Sequence, residues 1–508
     1  MLRLFALALA LYTAVSLAVK EPGYMDACYY FTVAENLAKG NGLMEPFLWN
    51  YLDYPDRLPH PAFTYWMPLP SLLAWPFLKL LEKSYFVARL PFIILASCLP
   101  IISYKTAELL QEKTSEQGKA IPTLAAFLTI FSGFYVVYWP ATDGFAPFAL
   151  AGGLCLLLLG KLLEDGSLPL AFLAGVAAGL AHLTRADGFL LILPVVFLLA
   201  RPQKRRLALC FLLAYLILIS PWIARNVTSL GVPLPTSGTK TIFLTNYDDL
   251  FSYGKELSWR SYLAWGAKAI AMSKLKAAWL NLQTALAVFL MVFLALPFAI
   301  GFKRLCALDL LKPFWLYALA LFLTMTLVFS YPGPRGSFFH SGGALLPFTT
   351  SVSAIGLKFL SDSWAKRRKI APEALWRLNY AAAIFLAILV SLFVLYRALG
   401  PGQWNQRGEV YKQAEAWLRH HSSPEAIVMV GDPPCFYYYS CSCRPSIVIP
   451  NGDVETVLRV AKRYGASFML LEPDHPRPLD SLYLNPHASE SLKPIATFGK
   501  AILFRIEP

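Results

Sequence analysis

Asp26 stands where a single carboxylate could do acid–base work. It lies in Gly23-Tyr24-Met25-Asp26-Ala27-Cys28-Tyr29-Tyr30, a few residues beyond an apolar run (2–19) long enough to cross a bilayer. A carboxylate at that boundary could take a proton from a hydroxyl or amine, and it could equally cap a juxtamembrane helix. Other ionisable groups recur beside apolar segments: Asp143, Arg185, Asp187, Arg225, Arg335 and His340. Charges near membrane depth are costly and mark substrate sites or ion pairs. Three arginines from three separate turns make a candidate anion site, because a planar guanidinium can give two hydrogen bonds to two phosphate oxygens.

Each residue also has a plain structural role open to it. Arg185 can pair with Asp187 and fix its turn. Arg225, after Pro221-Trp222, can snorkel to headgroups. Arg335 sits among Gly and Pro, where a ligand can approach closely. His340 can bond backbone in its own turn and Asp143 can cap the next helix. His60, with Asp53 and Asp56, matches no metal spacing, so solvated loop residues are the simpler reading, with His60, Asp187 and His340 kept as candidate acceptor or donor contacts. No cofactor motif is present, no metal ligand set is assigned, and a divalent ion is left open.

The elements that must position these residues are apolar helices. Of 508 residues, 57% are hydrophobic and 15% charged, and mean hydropathy is +0.50. Soluble domains carry about a quarter charged residues, so this is the composition of a polytopic membrane protein. The net charge of +14 falls largely in short breaks between apolar runs. There it serves topology and anionic headgroups, which argues against a nucleic-acid partner.

Taking Arg3 as cytoplasmic, about eleven apolar runs alternate across the bilayer: 2–19, 90–110, 120–139, 145–163, 168–183, 189–200, 207–223, 278–300, 313–330, 344–360 and 378–399. Outer loops fall at about 20–89 and 225–277, and a short helix over 67–81 lies in the interface. A polar loop over 111–119 is cytoplasmic. The densest basic clusters, 201–206, 303–304 and 366–369, all land inside, as the positive-inside rule demands. A signal-peptidase site after Ala18 is conceivable, and the segment is expected to be retained. Residues 1–400 form the membrane domain and 401–508 an extracytoplasmic α/β domain, with strands near 426–430, 445–449, 467–471 and 501–506 and helices at 409–420 and 454–464. Gly431-Asp432-Pro433-Pro434 reads as a post-strand turn. Cys28, Cys98, Cys155, Cys210 and Cys306 are expected to pack as small hydrophobes. One disulfide is expected among Cys435, Cys441 and Cys443, the pair undetermined.

Several stretches in order carry a family resemblance: Tyr24-Met25-Asp26-Ala27 after the first span, Pro68-Leu69-Pro70-Ser71-Leu72-Leu73, Ala88-Arg89-Leu90-Pro91, Leu183-Thr184-Arg185-Ala186-Asp187-Gly188, and Pro221-Trp222-Ile223-Ala224-Arg225-Asn226. Over roughly residues 1–360 the chain resembles the GT-C superfamily of membrane glycosyltransferases, of the protein O-mannosyltransferase and aminoarabinose-transferase type. The resemblance implies a multi-pass plasma-membrane enzyme. It would move a sugar from a polyprenyl-phosphate donor to a glycan, lipid or protein acceptor on the outer face, with inversion. It implies Asp26 as the general base or as the group that holds the acceptor for attack on the anomeric carbon, and Arg185 and Arg225 on the lipid phosphate; Arg335 is added from its position. Many relatives carry adjacent acidic residues in the first loop, whereas Asp26 is flanked by Met25 and Ala27, so a second carboxylate must come from elsewhere, such as Asp143. The competing classes are a transporter or lipid flippase, which would place charges along a mid-membrane path and show repeats, and a non-catalytic relative.

Overall fold

The computed structural model describes residues 1–114, 118–235, 237–400 and 403–507. Residues 115–117 of the 111–119 loop, and 401–402 at the start of the 401–508 segment, lie outside the described residues. The chain is a polytopic α-helical membrane protein with a C-terminal α/β extension. Among the described residues six helices are long and apolar enough to cross a membrane, including Tyr85–Gln111, Phe145–Glu164, Asp309–Val328 and Gly333–Arg368. Shorter apolar helices cover Leu2–Ala18, Leu69–Leu80, Ala120–Ile130, Leu168–Thr184 and Ala186–Leu199.

Part of the shortfall from about eleven is length alone, since Leu2–Ala18 and Leu168–Thr184 are unbroken helices of 17 residues each, and the rest has backbone causes. The run over 120–139 is helical only to Ile130 and turns through Gly133–Tyr135. The run over 189–200 begins as a 3-10 helix through Pro194. The run over 278–300 is interrupted by a π-turn at Ala285–Phe289 and by Met291 and Val292, whose φ angles are positive. Hydropathy counts apolar residues and is blind to where the backbone stops turning. The helix at Leu69–Leu80 has 12 residues, about 18 Å of helix, well short of the ~30 Å hydrocarbon core.

The extension is built on a six-stranded sheet. Its members are β2 (Phe47–Leu48), β4 (Ile427–Val430), β5 (Ser446–Val448), β6 (Ala466–Leu471), β7 (Leu492–Phe498) and β8 (Ala501–Ile506), in the order β2-β5-β4-β6-β8-β7. Strands β2, β5, β4 and β6 run parallel to one another, and β8 is antiparallel to both β6 and β7. The period of two sorts the core: Met429, Ile447 and Met469 pack to one side, while Val428, Val430, Phe468 and Leu470 pack to the other. The edge strand β2 comes from the loop over 20–89, pairing Phe47 with Ser446 and Leu48 with Ile447. The same loop closes a small antiparallel pair, β1 (Met44–Glu45) with β3 (His60–Pro61).

Two expectations are corrected here. The turn expected over 431–434 is confined to Gly431 and Asp432, because Pro433–Tyr439 is a helix. Asp432 caps it by accepting from the Cys435 N–H at 3.1 Å, and Asp followed by Pro at the first helical position is a helix-start signal. The disulfide is between Cys28 and Cys435, while Cys441 and Cys443 are free and exposed. Cys28 is therefore not a lone apolar filler; one turn past Asp26, it is covalently tied to the extension.

Candidate active site

The helix Met25–Ala38 starts from Tyr24, whose extended backbone ends the preceding segment. Asp26 falls in its first turn, where free N–H groups favour negative charge. Asp143, fully buried, ends the turn before Phe145–Glu164 and accepts from the Gly144 N–H. Its other oxygen, Oδ2, accepts from the Tyr24 hydroxyl at 2.8 Å and lies 3.0 Å from His340 Nε2. His340 Nε2 is also 3.9 Å from Asp26 Oδ2. One ligand-type atom from each of Asp26, Asp143 and His340 falls within 4.8 Å of the others. The second carboxylate that the sequence lacks beside Asp26 is thus met in space by Asp143.

The two carboxyls are electrostatically unequal. Burial, then the neighbouring Asp143 charge, pushes Asp26 up to about 6, against the pull of His340 and Arg185. Burial acts upward on Asp143 too, but His340, the Gly144 N–H and the Tyr24 hydroxyl outweigh it and hold that group below the usual carboxylate range. Carboxyls split this way divide into one permanently charged group and one able to exchange a proton near neutral pH. Asp26 is also the accessible one, with 26% of its side chain exposed against 1% for Asp143.

Arg185 follows the helix Leu168–Thr184. Its Nε donates to Asp187 Oδ1 at 3.2 Å and to Ser341 Oγ at 3.0 Å, and the Ser341 hydroxyl donates to Asp187 Oδ2. No hydrogen bond among the described residues uses its two terminal nitrogens, and the side chain is only 13% exposed. Its charge is felt at Asp26. Gly144 leaves room for it: a Cβ there would stand 3.3 Å from Arg185 Cγ. Arg335 is exposed and lies over the Tyr247 ring, 4.6 Å from its centroid. Burial, then the charge of Asp26, pushes Tyr247 up to about 12.

Two candidates lie apart from this cluster. Arg225 donates to the Ala62 carbonyl at 2.9 Å and stacks on Trp222, where it ties down the first loop. His60 is buried with Nε2 3.1 Å from the Phe47 carbonyl oxygen and 3.5 Å from Glu45. Sequence reasoning missed Tyr24, Ser341 and Tyr247; Tyr24 was findable because it stands two residues before Asp26, whereas Ser341 and Tyr247 carry no local signal.

Asp26, Asp143 and His340 are donor types that suit a divalent cation. As arranged they close on each other: both Asp143 oxygens already accept hydrogen bonds, and His340 Nε2 is directed at one of them. An ion could enter only by displacing Tyr24 and His340, so the set does not fit an open cation cage.

Residues 60–224 match the family model described as dolichyl-phosphate-mannose-protein mannosyltransferase. No curated protein sequence matches the chain. Among solved structures the chain is similar to ArnT from Cupriavidus metallidurans, in the apo state and bound to undecaprenyl phosphate. The identity is 13%, with 99% of this chain and 97% of that one covered and a TM-score of 0.59. It is also similar to the oligosaccharyltransferase of Archaeoglobus fulgidus in the apo form, at 12% identity, covering 93% of this chain and 69% of that one, TM-score 0.53.

Proposed function

The chain has the fold of the GT-C superfamily membrane glycosyltransferases, and from that premise we propose that it transfers a sugar from a polyprenyl-phosphate donor to an acceptor hydroxyl or amine. Asp26 takes the acceptor proton as its oxygen or nitrogen attacks the anomeric carbon. The bond from that carbon to the phosphate oxygen breaks on the opposite face, so the sugar inverts and the lipid phosphate leaves with the electron pair. Arg185 faces the growing phosphate charge with its terminal N–H groups, and Arg335 over Tyr247 adds positive charge at the rim. Asp143 stays ionised behind Asp26. Arg225 and His60 hold the first loop in place.

The observation that carries this reading is the pairing of the accessible Asp26 carboxyl, 26% exposed, with an arginine whose terminal nitrogens make no hydrogen bond among the described residues. The undecaprenyl phosphate in the similar ArnT structure supports the donor class. Charges gather in one boundary cluster, not along a mid-membrane path, which disfavours the transporter reading.

The reaction is placed on the outer face of the plasma membrane. Arg201 and Lys204 donate to carbonyls at the far end of Phe145–Glu164, a 20-residue helix and so about 30 Å from Asp143. A basic cluster one bilayer away from the site agrees with the positive-inside rule. On this reading the shorter apolar helices other than Leu69–Leu80, with the interrupted run over 278–300, complete the crossings to about eleven. Residues 1–400 carry the reaction, and 401–508 form the outer domain that holds the first loop.

The test is turnover of purified protein with a panel of radiolabelled polyprenyl-phosphate sugars. Asp26→Asn is expected to lose at least about a hundredfold in rate, within the range for a removed general base. Full activity in that variant removes Asp26 from the chemistry, and no turnover with any lipid-linked donor removes the donor class.

A further inference from the structure

A base flanked by an arginine does not need a histidine wedged between two carboxylates, yet His340 occupies that position. Its Nδ1 lies 2.9 Å from the Gly336 carbonyl oxygen and its Nε2 lies 3.0 Å from Asp143 Oδ2. A carbonyl oxygen can only accept, and so can an ionised carboxylate, which here already receives the Gly144 N–H and the Tyr24 hydroxyl. Each ring nitrogen must then supply a proton, because a neutral imidazole has one N–H and would set a lone pair against a lone pair at its other contact. The ring is held in this pose from its face as well: Phe145 stacks on it, with centroids 3.8 Å apart and planes 19° apart. The carbonyl that receives Nδ1 belongs to Gly336, whose φ of 143° is a conformation that side-chain-bearing residues rarely adopt.

We infer that His340 is a positioning residue of the transfer reaction: a doubly protonated imidazolium that binds Asp143 and offsets its charge, so that Asp26 is free to act as the base. This rests on the reading of Asp26 given above. The charged and titratable groups facing the ring are Asp26 and Tyr24 at the Met25–Ala38 helix start and Asp143 from the turn before Phe145–Glu164. Arg185 acts on Asp26 from the end of Leu168–Thr184, and Arg335 lies on His340's own segment. Two carboxylates this close do not both ionise readily without a cation between them. Removing His340 therefore makes Asp26 hold its proton to higher pH, whereas removing the Asp143 charge lets Asp26 release it at lower pH.

Two readouts on the full-length protein test this. The first needs no substrate. In protein carrying 15N-labelled histidine at pH 7.5, the resonances missing from His340→Gln should show a proton on both ring nitrogens. A single protonated nitrogen overturns the inference. Where His340→Gln does not fold, the same signals are assigned in wild type by their displacement in Asp143→Asn. The second readout is the pH dependence of kcat/KM with the polyprenyl-phosphate sugar turned over by wild type. Its acidic limb, near pH 6 in wild type, should move up by about one to three units in His340→Gln and down in Asp143→Asn. Lower rates with unmoved limbs in both variants would leave His340 a purely structural role and overturn the inference. Loss of the Asp26→Asn effect would refute the base while leaving the 15N result standing, so the two failures are distinguishable.

Discussion

Replacing Arg185 with lysine keeps the charge and removes the geometry. In the wild type one nitrogen, Nε, is spent on Asp187 and Ser341, and the terminal nitrogens are left for a ligand. A lysine has one ammonium on a flexible stem. It can answer the Asp187 carboxylate or a phosphate, and it cannot present two parallel donors while doing either. The loss is about one charge-assisted hydrogen bond, roughly 1.5–3 kcal/mol, which corresponds to a fall of about 10- to 150-fold in rate. The phosphate gains charge as it leaves, so the missing bond counts more in the transition state than in the bound donor, and most of the fall should appear in kcat rather than KM. Lysine is preferable to alanine here. Alanine would strand buried Asp187 without its partner, at a cost of about 3–5 kcal/mol, and would mix instability with chemistry. The assay is initial rate against donor concentration for wild type and Arg185→Lys, with thermal unfolding of both. A Lys variant within about threefold of wild type in kcat/KM refutes the phosphate role, as does a loss confined to stability.

Two further outcomes follow from cysteines. Cys441 and Cys443 are exposed and unpaired, so a membrane-impermeant maleimide added to intact cells should label the C-terminal extension; labelling only after permeabilisation would invert the sidedness. Cys28→Ser or Cys435→Ser should lower stability by about 2–4 kcal/mol, measured by tryptophan fluorescence during denaturant unfolding. Unfolding midpoints unchanged in both variants would show that the bond holds nothing in place.

What was legible in the sequence depended on whether the signal was local. Asp26 could be found because a span end and a run of tyrosines surround it. Asp143 and His340 could be named as polar residues beside apolar runs, but not their meeting, since they are 197 residues apart and come together only when three helices pack. Arg185 and Arg225 look alike in sequence, each at the end of an apolar helix. One faces the carboxyl pair and the other faces loop carbonyls, and that direction is set by packing. In the extension, β4 and β6 were plain from their dense apolar runs. The strand β7 was not, because it carries Lys493 and Pro494; it sits at the sheet edge, where a proline costs no ladder bond. The disulfide was misjudged because cysteines near in sequence were weighed against each other, whereas the true partner was 407 residues away.

The placement of β2 in the C-terminal sheet has a consequence for when the protein becomes competent. Phe47 pairs with Ser446, so the loop over 20–89 cannot complete its strand pairing until the ribosome has made about 400 further residues, on the order of 20–80 s at ordinary rates of synthesis. Cys28 waits as long for Cys435. Through that interval the loop carrying Asp26 stands unlatched, and a segment translated late fastens one translated early.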